Sequence, residues 1–118
     1  LPLEHQASDS TGRFDALHGW MAQNLETRLS VEDLAKQAHM SPRNFSRNYK
    51  SATGISPAKA VELMRLEAAR HALEVTENRI SQIAITCGFG DDERLRRCFI
   101  KHLGVAPSDY RERFRSGT

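Results

Sequence analysis

Two clusters of basic side chains, about fifty residues apart, carry the clearest chemistry in this sequence. They are Arg43, Arg47 and Lys50, then Arg94, Arg96, Arg97 and Lys101. Of the 17 basic residues, 13 are arginine, whose planar guanidinium donates paired hydrogen bonds to phosphate and to the edge of guanine. The formal net charge is only +2, so the placement of the cations, rather than their total, indicates a nucleic-acid partner.

The elements that must position these clusters occur twice in the chain. The apolar and small positions of residues 31–40 match those of residues 80–89 at a constant offset of 49. Residues 45–57 match residues 95–107 at an offset of 50, so the second copy has one extra residue in its turn. The repeat predicts a duplicated unit of two short helices joined by a tight turn.

The predicted fold is all-α, with about seven helices in two helix-turn-helix lobes joined by a long linker helix. The predicted organisation is a linker or flexible arm at 1–12, a first lobe at 13–55, the linker helix at 56–75, a second lobe at 76–114 and a flexible tail at 115–118. Hydrophobic residues make up 39% of the 118 residues, which is ordinary for a globular domain.

Helix ends and turns carry local signals. Ser30 and Asp33 are spaced like a capping box, and Pro42 stands where a helix tolerates a missing N–H. His39 and its counterpart Gly88 occupy the tight turns, where a positive φ is expected because glycine adopts it freely and histidine is enriched there.

Cellular location is predicted from what the sequence lacks and from its thiols. No apolar run reaches the roughly 20 residues of a membrane span, and no signal peptide is visible. Cys87 and Cys98 fall at positions that should be buried in helices, which predicts reduced core thiols in a cytoplasmic protein.

A longer pattern runs through the second copy: an Ile-Ala pair, a Gly-Phe pair, then Phe, Gly, Pro and Tyr-Arg. The residues are Ile83, Ala84, Gly88, Phe89, Phe99, Gly104, Pro107, Tyr110 and Arg111. This pattern resembles the signature of the arabinose-regulator (AraC/XylS) family of bacterial transcription factors, over about residues 13–114. The resemblance implies a seven-helix domain that binds DNA and controls transcription, often by activation.

The resemblance also implies partners. Family members commonly carry a linked sensing or dimerising domain, and RNA polymerase is the expected protein partner. The run of residues 88–94, Gly-Phe-Gly-Asp-Asp-Glu-Arg, further resembles members whose linked domain is class-I amidotransferase-like.

In the first lobe, the predicted base contacts are Arg43, Ser46 and Arg47, which fall where family members present base-contacting side chains. Asn44 and Lys50 are expected to border the DNA backbone. Arg47 is the strongest candidate, with guanine as the expected base. The alternative for all five residues is an ordinary solvated helix face.

In the second lobe, the candidate base contacts are Asp92, Glu93, Arg94, Arg96 and Arg97. Arg97 matches Arg47 and is favoured over Arg96. The acids either stabilise the helix dipole or accept from cytosine N4. Because acids repel phosphate and Ile100 replaces Lys50, this lobe is expected to bind more weakly.

Phosphate anchoring is expected from polar groups near helix N-termini and from one further lysine. These candidates are Ser30, Ser41, Arg79, Ser81 and Lys101, with Lys59 and Arg65 ranked below them. Each is alternatively a helix cap or a surface residue.

Other function classes have weaker support. Cys98 and His102, with Cys87 nearby, do not supply the close-spaced ligand pairs of a structural zinc site, so core packing is favoured and no metal or cofactor is predicted. No motif for enzymatic chemistry is present. The remaining alternative is a helical protein-interaction module, which would show an exposed apolar patch rather than arginine-rich faces.

Overall fold

The predicted helices are present, with small shifts at their ends. The computed structural model describes Gly12 and residues 14–116. These residues form seven helices and no strand: α1 (Asp15–Gln23), α2 (Val31–Gln37), α3 (Pro42–Thr53), α4 (Pro57–Val75), α5 (Ile80–Thr86), α6 (Asp92–Leu103) and α7 (Pro107–Ser116). For this part of the chain, the all-α prediction and the count of seven are confirmed.

Two helix ends bear on the predicted lobe boundaries. α1 ends at Gln23, where the Asn24 side-chain amide donates to the Trp20 carbonyl at 2.8 Å and closes the helix. α7 continues two residues beyond the expected end at residue 114. Except for Gly12, the predicted arm at 1–12 lies outside the described residues, as do residues 117 and 118 of the predicted tail. None of the described helices has both the length and the apolar character needed to cross a membrane.

Side-chain caps fix where the short helices begin. At α2, Ser30 Oγ accepts from the Asp33 amide at 3.1 Å and the Ser30 amide donates to Asp33 Oδ2 at 3.3 Å, which confirms the capping box. The bonds from Ser30 hold the pKa of Asp33 below its usual value. Ser41 caps α3 by accepting from the Asn44 amide at 3.3 Å, with Pro42 at the first helical position.

The two helix-turn-helix turns differ by one residue. Residues 38–41 connect α2 to α3, whereas residues 87–91 connect α5 to α6. His39 takes φ 60° in the first turn, and Gly88 and Gly90 take φ 94° and 91° in the second. The extra residue and the positive φ at His39 and Gly88 are both confirmed.

The chain divides into two compact units. Unit 1 comprises the described residues up to Asn24 together with Arg28–Glu62. Unit 2 comprises Leu25–Thr27 and the described part of Leu63–Thr118. Three residues of the segment between α1 and α2, Leu25–Thr27, therefore belong to the unit formed by the second half of the chain.

An apolar cluster of unit 2 lies beneath α5 and α6. Its buried members are Leu66, Ala69, Leu73, Ile83, Ala84, Cys87, Leu95, Cys98 and Phe99. Both cysteines are buried, as expected from the sequence, and burial raises the pKa of the Cys87 thiol. The cluster fixes the inner face of α6 and so determines which side chains of that helix point outward.

Two arginines that are fifty positions apart donate hydrogen bonds to equivalent backbone segments of unit 2. Arg65 on α4 donates through Nη2 to the Thr27 carbonyl at 2.8 Å. Arg115 on α7 donates through Nη2 to the Thr76 carbonyl, also at 2.8 Å. Since residues 27 and 76 are 49 apart, the two bonds are equivalent in the repeat. The duplication therefore extends beyond the helix-turn-helix pairs to the helix that follows each of them.

Candidate nucleic-acid interface

Unit 1 holds α3 through an aromatic cluster on its inner face. Phe45 and Tyr49 are buried, and the Phe14 ring meets theirs edge-on at centroid distances of 6.0 and 5.1 Å. His18 Nε2 lies 2.8 Å from the Tyr49 hydroxyl, and burial raises the pKa of that hydroxyl. These contacts fix the rotation of α3 about its axis, and hence which residues face outward.

The outward face of α3 is cationic. Arg43, Asn44, Arg47 and Lys50 are exposed, and Ser46 is half-buried. The helix contains no acidic residue. Among the described residues, none of the three cations lies in a salt bridge. The structure therefore brings the five candidates of the first lobe onto one helix, and no described acid neutralises its positive charge.

The outward face of α6 has the same register but a different charge pattern. Leu95, Cys98 and Phe99 are its buried residues. The five candidates of the second lobe are all exposed: Asp92, Glu93, Arg94, Arg96 and Arg97. They too are brought together on one helix.

Acids hold the cations of α6. Glu93 Oε2 lies 3.4 Å from Arg97 Nε and 3.9 Å from Arg96 Nη1. Asp91 caps the helix by accepting from the Arg94 amide at 2.9 Å, and its other carboxylate oxygen lies 3.9 Å from Arg94 Nε. The side chains are more than half exposed, so each pair contributes little to stability, about 0–1 kcal/mol. Their consequence is electrostatic, because three guanidinium groups already have anionic partners.

The candidates near helix N-termini differ in whether their polar groups already have partners. The Ser30 hydroxyl is used twice, accepting from the Asp33 amide and donating to Asp33 Oδ2 at 2.8 Å. Ser41 uses its oxygen to cap α3 and is exposed. Arg79 and Ser81, at the start of α5, are both exposed, and the Arg79 side chain does not cap that helix. Lys101 is exposed on α6.

The two linker-helix candidates have structural partners. Arg65 donates to the carbonyls of Leu25, at 3.2 Å, and Thr27, and burial lowers its pKa. Its guanidinium therefore holds a backbone segment, and a phosphate contact would have to replace these bonds. Lys59 Nζ lies 3.9 Å from Glu62 Oε2.

Sequence reasoning missed the residues of α7 that shape the second lobe. Arg111 donates to the carbonyls of Leu73, Asn78 and Thr76 at 3.2, 2.7 and 3.1 Å. It thereby ties the end of α4 and the segment leading into Arg79 to α7. The Tyr-Arg pair at residues 110–111 marked the position, but its partners are more than thirty residues earlier and no local pattern reveals them.

The sequence of this chain is similar to those of helix-turn-helix transcriptional regulators. A family described as a helix-turn-helix domain matches residues 34–113. The chain is 44% identical over 84 residues to the HTH-type transcriptional regulator Rv1931c of Mycobacterium tuberculosis, covering 71% of this chain and 32% of that protein. It is 31% identical over 117 residues to the MmsAB operon regulatory protein of Pseudomonas aeruginosa, covering 99% of this chain and 38% of that protein. The chain thus spans about a third of the length of these relatives.

Solved structures have the same fold. The DNA-binding domain of AdpA, a global transcriptional factor solved with a target DNA, superposes with a TM-score of 0.82 at 32% identity, covering 86% of this chain and 92% of that one. An AraC-type transcriptional regulator from Chromobacterium violaceum superposes with a TM-score of 0.83 at 27% identity, covering 94% and 99%. The duplicated helix-turn-helix arrangement is therefore shared with proteins of known class.

Proposed function

The chain belongs to the AraC-type family of helix-turn-helix DNA-binding domains, and from that premise we propose that α3 and α6 enter successive major grooves of double-stranded DNA. Binding of a promoter site in this way regulates transcription. The observation that carries the proposal is the outward face of α3, where three cations stand on a capped and tightly packed helix without acidic partners among the described residues.

In the first lobe, Arg47 is the proposed principal reader, with its guanidinium donating to O6 and N7 of a guanine. Arg43, one turn earlier, and Ser46, the preceding residue, contact neighbouring bases. Asn44 and Lys50 reach the phosphates on either side of the groove. An exposed arginine with no salt-bridge partner among the described residues suits this role, because binding breaks no existing ion pair.

In the second lobe, Arg97 is the proposed counterpart of Arg47, with Arg94 and Arg96 beside it. Asp92 and Glu93 are the candidate acceptors for cytosine N4. Of these two, Glu93 already holds Arg96 and Arg97, whereas no salt bridge to Asp92 occurs among the described residues. Binding here requires these pairs to be exchanged for contacts with DNA, which supports a weaker contribution from this lobe.

Backbone contacts are proposed for the polar residues that border both helices. Ser41 is better suited than Ser30, whose hydroxyl already donates to Asp33. Arg79 and Ser81 stand exposed at the start of α5, and Lys101 is exposed on α6. These groups position the lobes on the duplex without reading sequence.

We assign residues 13–55 and 76–114 to the two DNA-reading lobes and residues 56–75 to the helix that links them. For the whole protein we propose a linked sensing or dimerising domain, supported by relatives of which this chain spans only 32–40%. The Gly-Phe-Gly-Asp-Asp-Glu-Arg run suggests that this domain is amidotransferase-like. We further propose a non-enzymatic regulator in the cytoplasm that acts on RNA polymerase.

The direct test is a fluorescence-anisotropy titration of the 118-residue chain on a duplex obtained by selection from a random pool, repeated over a series of salt concentrations. The logarithm of the binding constant should fall linearly with the logarithm of salt, with a slope of about −0.9 per phosphate contact. A nuclease footprint should protect two major-groove faces about 34 Å apart along the duplex.

Two results would count against this function. A binding constant that does not change with salt would favour the alternative, a helical protein-interaction module. Protection of a single groove face would mean that only one lobe engages DNA, and would limit the proposal to α3.

A further inference from the structure

An aliphatic side chain, Ile100, stands within the outward face of α6. With 3.6 residues per turn, Ile100 falls on the same strip of the helix as Glu93, Arg96 and Arg97, on the side away from the buried Leu95. It is 41% exposed. A large aliphatic group thus lies among the polar side chains that the proposed function places against DNA.

Isolated exposed aliphatic residues are common on protein surfaces and alone carry no information. The position of Ile100 in the repeat is what distinguishes it. The corresponding residue in the first copy is Lys50, which is suited to phosphate. Isoleucine cannot donate to phosphate, and placing it there would remove water from an anion without replacing the lost hydrogen bonds. If α6 enters the groove, Ile100 therefore needs an apolar partner.

The major groove offers one apolar group at the edges of the unmodified bases, the C5-methyl of thymine. Ile100 lies about 4.5 Å along the helix axis from Arg97, since each residue rises about 1.5 Å. That distance is close to the spacing of adjacent base pairs along the duplex, about 3.4 Å. A helix lying along the groove thus places Arg97 and Ile100 over neighbouring base pairs.

We infer that Ile100 reads a thymine through its methyl group, next to the base pair contacted by Arg97. This inference rests on the proposed function and adds a requirement for one base in the second half-site. It also gives the lobe whose cations are partly neutralised a contact that does not depend on charge. The first lobe has no counterpart, because Lys50 occupies the matching position.

The test uses the selected duplex and replaces each thymine in turn with deoxyuridine, which removes only the methyl group. Wild-type affinity should fall about three- to fivefold at one thymine of the second half-site, the size expected for one buried methyl group. Ile100→Ala should weaken binding to the unmodified duplex by a similar factor. At that one thymine, replacement with deoxyuridine should no longer change the affinity of Ile100→Ala, whereas at every other thymine the variant should respond like wild type.

A matched control is Lys50→Ala, which should weaken binding and leave the deoxyuridine profile of the second half-site unchanged. Thermal unfolding of Ile100→Ala should match wild type, because the side chain lies outside the buried cluster of unit 2. Equal deoxyuridine effects on wild type and Ile100→Ala at every thymine would overturn the inference and leave DNA binding intact. Failure of the wild-type chain to bind any selected duplex would overturn the proposed function and this inference together.

Discussion

The helices α3 and α6 stand at matching places of a repeated fold, yet they offer different surfaces to a ligand. On α3, arginine and lysine face outward with no acid in the helix. On α6, Glu93 and Asp91 hold the arginines at 3.4–3.9 Å, and an isoleucine replaces the lysine. The buried positions repeat because each copy must pack the same way, whereas the outer positions are free to diverge. The two faces can therefore be tested separately by changing matched residues.

The largest difference between matched substitutions is expected in the stability of the two turns, where Gly88 and His39 occupy equivalent positions. A Cβ at Gly88 would lie 2.0 Å from the Leu25 carbonyl oxygen and 2.4 Å from Arg65 Nε, at φ 94°. Gly88→Ala should lower the free energy of unfolding by about 3 kcal/mol or more. His39 already carries a side chain at positive φ, so His39→Ala should change it by less than about 1 kcal/mol. Urea denaturation followed by circular dichroism measures both.

Substitutions at two further glycines separate the steric part of that loss of stability from the part caused by the positive φ. Gly54 has φ 85°, and a Cβ added there would meet no atom of the described residues within 4 Å. Gly54→Ala should therefore show the backbone cost alone, about 1–2 kcal/mol. Gly19 lies inside α1 with the same room around it among the described residues, and Gly19→Ala should stabilise by about 0.5–1 kcal/mol. If Gly88→Ala cost no more than Gly54→Ala, the close approach of Leu25 would not matter in solution.

The next largest difference is expected in DNA affinity, between the variants Arg47→Ala and Arg97→Ala. Loss of a paired contact to guanine should cost about 1–3 kcal/mol and relax the preference for one base. Arg97→Ala should cost less, since Arg97 must first leave Glu93. Gel-shift titration on the selected duplex, with Arg113→Ala on α7 as the control for loss of one positive charge, measures both. Equal losses for the three variants would mean that charge alone, not position, sets affinity.

The smallest effect is expected at Glu93. Glu93→Gln releases Arg96 and Arg97, so affinity should rise by about 0.5 kcal/mol, roughly twofold, with unchanged base preference. Glu112→Gln on α7 removes the same charge from another helix and serves as the control. A loss of affinity limited to duplexes with a G·C pair at one position would instead identify Glu93 as a reader of cytosine N4.

Local signals predicted much of the fold, because short-range geometry determines helix ends and turns. The capping box at Ser30 and Asp33, the positive φ of His39 and the extra residue of the second turn were all readable from neighbouring residues. The candidate residues of α3 and α6 came from the family resemblance and the repeat, and they lie between buried residues that recur at helical spacing.

Contacts between distant residues were not predictable in this way. Arg65 looked like a surface cation on a long helix, yet its partners are backbone carbonyls about forty residues earlier. The pairing of Glu93 with two arginines follows i,i+3 and i,i+4 spacing and was in principle readable. Which duplex sequence the chain prefers depends on groups that lie outside the protein.

The equivalent bonds of Arg65 and Arg115 bear on how such a chain can be divided or recombined. Each arginine closes the segment that precedes its own copy of the helix-turn-helix, so the duplicated module has three helices rather than two. Yet Leu25–Thr27, from the first copy, belongs to the unit built mainly from the second. A cut within α4 would separate the second half of the chain from Leu25, whose carbonyl oxygen lies close to Gly88. We therefore expect that the half-site preference of one relative can be transferred to another by grafting the outer residues of α3 or α6. Exchanging the entire N-terminal or C-terminal half of the protein should fail.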